Sequence, residues 1–124
     1  MPKTDVLFYQ GDDGCSSVVE WLQVLRKMDT VAYAKCAAAI ERLAEAGFEL
    51  RRPTADILRD GINELRAKKG RVNYRILYFF HGKNVAVLAH ALTKEDVVPA
   101  ADLERARQRK AAFEANPSKH TYRE

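Results

Sequence analysis

The chain has 124 residues, the size of one small domain, and is 47% hydrophobic and 31% charged. This composition excludes a disordered chain, and no apolar run is long enough to predict a membrane-spanning helix. Residues 1–50 carry 5 basic and 8 acidic side chains, a net charge of −3. Residues 51–124 carry 16 basic and 9 acidic side chains, a net charge of +7. The C-terminal half therefore has either an anionic partner or a solvated basic surface.

Cysteine usage and the N-terminus both predict a cytoplasmic protein. The two cysteines, Cys15 and Cys36, are too few for a disulfide framework and are not spaced as metal ligands. The first ten residues contain Lys3 and Asp5 and have no apolar core, so they are not expected to be a secretory signal. A reduced compartment follows from these two features.

The N-terminal half predicts one strand and a pair of helices. Residues 6–9 form a short β-prone run that a glycine-rich turn closes. Apolar residues at helical spacing predict an amphipathic helix over 17–28, with Ser17 as its N-cap. A second helix follows almost directly and runs to Ala46, where Gly47 is placed to cap it. The short connection indicates a helical hairpin.

The C-terminal half changes to the period of β-strands. Residues 50–60 look irregular, and no element is predicted there. Three runs rich in branched and aromatic residues follow at 62–66, 72–80 and 85–92, separated by polar turns. This arrangement is typical of an antiparallel meander.

A final helix completes the predicted order. It begins near Pro99 and ends at Pro117, because proline suits the first turn of a helix and cannot continue one. We therefore expect a single domain over 1–117 and a flexible tail over 118–124. The order β-α-α-β-β-β-α predicts an α+β fold.

A run of cations without any acid is the strongest candidate for a functional site. Between positions 66 and 75 there are five: Arg66, Lys68, Lys69, Arg71 and Arg75. Arg75 lies in the most apolar strand, where a charge must either pair with an acid such as Glu64 or bind an anion. Both interpretations of Arg75 remain open at this point.

His90 is the one histidine that we place near the end of a strand. Imidazole titrates near neutrality and can act as an acid or a base, although a lone strand histidine is more often structural. The sequence contains no phosphate-binding loop, zinc-ligand spacing or nucleophile elbow. No metal and no cofactor are therefore expected.

Three segments and a basic helix resemble one known family. The segments are Asp60–Arg66, Asn73–Tyr78 and Leu88–Lys94, with the helix after Pro99. Together they resemble the HigB-like branch of the RelE/ParE toxin superfamily, over nearly the whole chain from position 8 to about 116. The resemblance implies a twisted antiparallel sheet packed against a helical hairpin and a C-terminal helix.

The resemblance also implies a function. Such proteins are toxins of toxin–antitoxin systems that cleave mRNA, commonly on the ribosome, without a metal. The implied partners are mRNA, the ribosome and a helix-turn-helix antitoxin of the HigA type, and DNA would be contacted only through that antitoxin. The alternatives are a ParE-like toxin that inhibits a protein such as DNA gyrase, and a phage-derived accessory protein without catalysis.

The family's catalytic positions are matched unevenly. Arg75 matches the arginine that contacts the scissile phosphate, and Lys94 falls near a second catalytic cation that is an arginine in relatives. Where RelE has lysines on the preceding strand, this chain has Ile62 and Glu64. Some relatives use a glutamate here as the base, so the resemblance makes Glu64 the candidate base.

The remaining roles are a general acid and the cations that hold RNA. We place the acid at His90 because a strand is more rigid than a tail, and the alternatives are His120 and Tyr122. RNA binding is assigned to four cations: Arg66, Lys68, Lys69 and Arg71. Exposed cations of this kind bind phosphates in a salt-sensitive manner.

Overall fold

The computed structural model describes residues 3–94 and 97–123, and of Lys94 only the backbone. A five-stranded sheet forms its centre, with helices on both faces. The elements in chain order are β1 (Asp5–Phe8), α1 (Ser17–Met28), α2 (Thr30–Ala46), β2 (Ala55–Arg59), β3 (Ile62–Lys69), β4 (Val72–His81), β5 (Val85–Lys94), α3 (Ala100–Ala115) and α4 (Pro117–His120). The predicted α+β class is confirmed.

The sheet has the strand order β1-β5-β4-β3-β2. Strands β3, β4 and β5 form the predicted antiparallel meander, and each is longer than its predicted run. β1 closes one edge by pairing with β5 in the parallel direction. β2 forms the opposite edge and pairs with β3 in the antiparallel direction.

β2 lies in the segment that the sequence marks as irregular, so that prediction is wrong for residues 55–59. Ala55 is buried opposite Leu65, whereas Ile57 is 68% exposed, as fits the outermost strand of a sheet. Asp60 and Gly61 follow with φ of 55° and 78° and turn the chain into β3. Two successive left-handed residues make the tight hairpin turn that an Asp-Gly pair favours.

The sheet separates two apolar cores, as the alternation along β4 predicts. Tyr74, Ile76 and Tyr78 face the α1–α2 hairpin. Leu77 and Phe79 face α3, where Phe113 packs against Phe79 with ring centroids 5.6 Å apart. Arg75 belongs to this second face, because side chains alternate along a strand.

The helical hairpin forms as predicted, with one change at its start. Ser16, and not Ser17, is the N-cap of α1, since its Oγ accepts from the backbone N–H of Val19. Asp29 ends α1 and caps α2 by accepting from Ala32 N–H. Two adjacent serines are equivalent in sequence, and only the backbone geometry distinguishes them.

The segment after α3 packs against the sheet, in contrast to the flexible tail expected for 118–124. His120 is buried and its ring stacks on Tyr9 with centroids 5.1 Å apart. Backbone hydrogen bonds join Gln10 N–H to His120 O at 2.9 Å and Tyr122 N–H to Phe8 O at 2.8 Å. The segment therefore pairs with the end of β1, a long-range contact that local sequence does not report.

We expect His120→Ala to lower the free energy of unfolding by about 1–2 kcal/mol, because it removes a buried aromatic contact and the hydrogen bond from the ring to Gln10 O. Urea unfolding of the full chain measures this loss. The control is Lys119→Ala, which removes only an exposed ion pair with Asp12. Equal unfolding midpoints for the two variants would mean that the segment does not share the cooperative unfolding of the domain.

None of the helices within residues 3–94 and 97–123 combines the length and apolar character needed to cross a bilayer.

Candidate functional site

The register of the sheet brings most of the candidate cations into adjacent rows on the face that carries α3. Arg66 lies opposite Arg75, and Lys68 lies opposite Asn73. The backbone of Lys94 also lies opposite Asn73, from the other side. The side chain of Lys94 is outside the described residues, so the structure places this candidate by register alone.

Glu64 is the centre of the polar cluster on this face. Its side chain is only 2% exposed, and Arg75 Nη1 donates a hydrogen bond to its Oε1 atom. Arg66 Nε lies 3.3 Å from the same oxygen, without the alignment of a hydrogen bond. The pairing of Arg75 with Glu64, one of the two interpretations open from the sequence, is therefore present in the structure.

The cluster continues to the edge strand. Arg66 Nη2 contacts Asp56 Oδ2 at 3.1 Å, and Arg52 Nη2 contacts the same oxygen at 2.8 Å. The hydrogen bond from Arg52 holds the pKa of the Asp56 carboxyl below its ordinary value, and burial opposes this only in part.

Sequence reasoning missed Arg52 and Asp56 because it placed no strand at 55–59. The Asp-Gly turn was the signal that could have found them.

The guanidinium groups of this cluster outnumber its carboxylates. Three arginines (Arg52, Arg66 and Arg75) share two acids (Glu64 and Asp56). The Nε atoms of Arg66 and Arg75 are buried and have no hydrogen-bond partner among the described residues. A buried donor without a hydrogen-bond partner is costly, and an anion contacts these two Nε atoms only if it enters the cluster, because both atoms are buried.

His90 lies on the same face and is engaged with α3. Its Nε2 atom is 2.6 Å from Asp102 Oδ1, and Arg109 Nη1 lies 3.5 Å from its Nδ1 atom. Burial lowers the pKa of His90 below the ordinary value, the bond to Asp102 opposes this, and the charge of Arg109 adds to it. The neutral ring thus donates from Nε2 to Asp102 and ties the start of α3 to β5. Asp102 and Arg109, which complete this contact, were not among the predicted site residues.

The lowered pKa of His90 predicts a loss of stability in acid. The unfolded chain takes up a proton near pH 6.5, whereas the folded chain resists it, so folding is favoured above that pH and weakened below it. We expect the midpoint of thermal unfolding to fall more between pH 7.5 and pH 5.5 in the wild type than in His90→Gln. Asp102→Asn should enlarge the fall, because the carboxylate favours the protonated ring. Identical pH dependence in the three proteins would contradict this role for His90.

The four cations assigned to RNA do not form one patch. Lys69 points to the hairpin side, where its Nζ atom is 2.6 Å from Asp29 Oδ2. Lys68 is exposed on the opposite face, and Arg71 is exposed in the turn after Gly70. Arg66 is the member that reaches the Glu64 cluster. Strand alternation separates Lys68 from Lys69, since neighbouring residues point to opposite faces.

The alternative acids in the tail lie far from this cluster. His120 and Tyr122 pack at the β1 edge, and β1 and β2 form opposite edges of the sheet. Among residues 3–94 and 97–123, no three His, Cys, Asp or Glu side chains stand close enough together to hold a metal ion.

The fold and its site define a class: a small α+β protein whose open sheet face carries a cluster of arginines around a buried carboxylate. The chain belongs to the family described as phage derived protein Gp49-like (DUF891), whose family model matches residues 23–111. This family is associated with toxins of the RelE/HigB type. The match includes the second half of α1, all of α2, the meander, most of α3 and every residue of the Glu64 cluster. No curated protein matches the chain.

Proposed function

We propose that this protein is the toxin of a toxin–antitoxin pair and cleaves mRNA without a metal, acting on translated message at the ribosome. Family membership supports the toxin assignment. The RNA chemistry is supported by the cluster on the open sheet face. The binding partners in this proposal are mRNA, the ribosome and a helix-turn-helix antitoxin.

One observation carries the proposal: Arg66 and Arg75 lie opposite each other on one sheet face, and the Nε–H of each is buried without a hydrogen-bond partner among the described residues. Guanidinium groups bind phosphate oxygens in a fixed, forked geometry. In a structural ion-pair cluster we would expect these donors to be satisfied. A phosphate placed here would complete the hydrogen bonding of both arginines.

The proposed reaction needs a cation, a base and an acid. The ribose 2′-oxygen forms a bond to the adjacent phosphorus, the bond from phosphorus to the 5′-oxygen breaks, and a cyclic phosphate remains. Arg75 and Arg66 stabilise the charge that develops on the phosphorane. Glu64 accepts the proton of the 2′-hydroxyl after exchanging its contact with Arg75 for the substrate.

The leaving 5′-oxygen receives its proton from the β5 side of the face. His90 is the proposed donor in its protonated form, which the Asp102 carboxylate favours; it releases Nε2–H from Asp102 to the 5′-oxygen and returns to the neutral ring. Lys94 lies four pairs further along β5, opposite Asn73, and supplies a second positive charge. Antitoxin binding would silence this face if an acidic segment covered the cations.

The test is to map mRNA ends by primer extension within minutes of inducing the chain in growing cells. We expect new internal ends inside translated regions, and far fewer after induction of Arg75→Lys. Growth arrest with DNA breaks and no new RNA ends would contradict the proposal. That result would favour a toxin that inhibits DNA gyrase.

A further inference from the structure

A narrow groove lies between α2 and the edge of β3. Its lining includes Ala67 from the hairpin side of the sheet and, at the strand edge, Arg66 and Lys68 from the other side. The pairing of β2 with β3 ends at Leu65, and one more backbone hydrogen bond joins Arg66 N–H to Thr54 O at 2.7 Å, so β3 has an open edge from Ala67 onwards. The groove has a volume of about 230 Å³. Its lining residues are Lys35, Ala38, Ala39, Arg42, Thr54, Arg66, Ala67 and Lys68.

The walls of this groove carry four cations, and no acid lines it. Lys35 and Arg42 are seven residues apart on α2, which puts them on one helix face about 10 Å apart along the axis. Within the described part of the chain, Lys35, Arg42 and Lys68 pair with no carboxylate. Arg42 donates only to Thr54 Oγ1, at 3.2 Å. Three exposed cations are thus available to an anion.

The floor of the groove indicates which anion fits. It consists of three alanines, which provide no pocket for the alternating side chains of an added peptide strand. It also has no aromatic ring on which a base could stack. The groove therefore suits a phosphate backbone whose bases point outwards.

The groove is continuous with the candidate catalytic cluster. Arg66 lines the groove and also contacts Glu64 and Asp56. On the strand, Arg66 and Lys68 are about 7 Å apart along the chain. A nucleic acid strand lying in the groove would therefore reach the Arg75 face without leaving basic surface.

We propose that this groove binds the phosphates of the single-stranded RNA that flanks the cleaved bond, with Lys35, Arg42 and Lys68 as positioning residues. The inference rests on the proposed function for the identity of the strand. These contacts hold a part of the RNA that does not react, so their loss raises KM and leaves kcat nearly unchanged. Loss of Arg75, in contrast, lowers kcat.

Binding of a single strand that cannot be cleaved tests the groove separately from catalysis. The probe is a fluorescent, fully 2′-O-methylated RNA of mixed sequence, titrated with the full-length protein at several salt concentrations. The variant combines Lys35→Gln, Arg42→Gln and Lys68→Gln. Each phosphate contact adds about 0.7 to the slope of log affinity against log salt for single strands, so we expect the slope to fall by about 2.

A matched control removes the same charge from exposed lysines outside the groove: Lys3→Gln, Lys27→Gln and Lys83→Gln. This control should retain the wild-type slope. Equal slopes for the two triple variants would overturn the proposal, because net charge alone would then account for binding. Circular dichroism of both variants verifies that the folds are retained.

Two further outcomes have defined meanings. If the groove variant loses binding to polyglutamate but keeps the wild-type slope for RNA, the groove takes an acidic peptide and the proposal fails. If the groove binds the RNA probe as expected but the wild type cleaves no mRNA, the nuclease assignment fails and the phosphate groove stands. If the groove variant cleaves RNA with an unchanged KM, the groove does not bind the RNA substrate and this proposal fails, whereas the nuclease assignment is unaffected.

Discussion

Arg75→Lys is expected to reduce RNA cleavage on the order of 100-fold while the protein remains folded. Lysine keeps a positive charge beside Glu64 but cannot hold two phosphate oxygens in a fixed fork. Removing one donor that stabilises charge in a transition state has an effect of this size. Arg75→Ala should abolish cleavage, and it should also destabilise the fold, because among the described residues it leaves Glu64 in contact with Arg66 alone.

Cleavage and thermal stability have to be measured on the same preparations. Arg26→Lys is the matched control, since Arg26 lies over Tyr33 on the hairpin, away from the sheet face that carries Glu64. A folded Arg75→Lys protein that cleaves RNA at the wild-type rate would show that Arg75 serves only the ion pair. A stable but inactive Arg75→Lys protein would support its catalytic role.

Glu64→Ala should produce the largest loss of stability among the polar residues of the cluster, about 3–5 kcal/mol. Glu64 is the shared acceptor of Arg75 and Arg66, and its removal leaves the guanidinium of Arg75 buried without a carboxylate in contact. Arg75→Ala should be milder, because Glu64 retains Arg66. Urea unfolding of both variants compares the two losses directly.

Asp56→Ala is the comparison variant for the loss of stability expected from Glu64→Ala. Asp56 pairs with both Arg52 and Arg66 and is less buried than Glu64, and ion pairs that solvent reaches contribute about 1 kcal/mol or less each. If Glu64→Ala and Asp56→Ala unfold at the same urea concentration, the Glu64 carboxylate is solvated, and the buried ion pair does not support the fold.

The elements with strong periodicity could be predicted from the sequence. The helical hairpin and the three-stranded meander follow from apolar spacing that matches one structural period over many residues. The faces of β4 were also predictable, because a half-buried strand must alternate. The same alternation puts Arg75 on the face of Leu77 and Phe79, which is the face that packs against α3.

Elements that depend on distant partners could not be predicted in the same way. β2 forms a strand because it pairs with β3, and α4 is held in place by hydrogen bonds to the residues at the end of β1. His90 shows the same limit within the site. Its chemistry depends on Asp102 and Arg109 of α3, which the sequence separates from it by 12 and 19 residues.

The candidate site was predicted in part because it lies on paired strands. Glu64 and Arg75 were recognised as possible partners from their neighbouring strands, and the structure pairs them. Arg52 and Asp56 were missed together with β2. The groove cations Lys35 and Arg42 were missed because a charged helix residue is ordinarily solvated, and only the open edge of β3 makes a groove beside them.

The most direct test of the account is the chemistry of the RNA ends that the purified protein leaves on an mRNA in translating ribosomes. Attack by the 2′-hydroxyl predicts a 2′,3′-cyclic phosphate on the upstream fragment and a 5′-hydroxyl on the downstream fragment. Both ends should be reduced on the order of 100-fold with Arg75→Lys. Intact mRNA, or downstream fragments that carry a 5′-phosphate, would contradict a metal-independent nuclease built around Arg75 and Glu64.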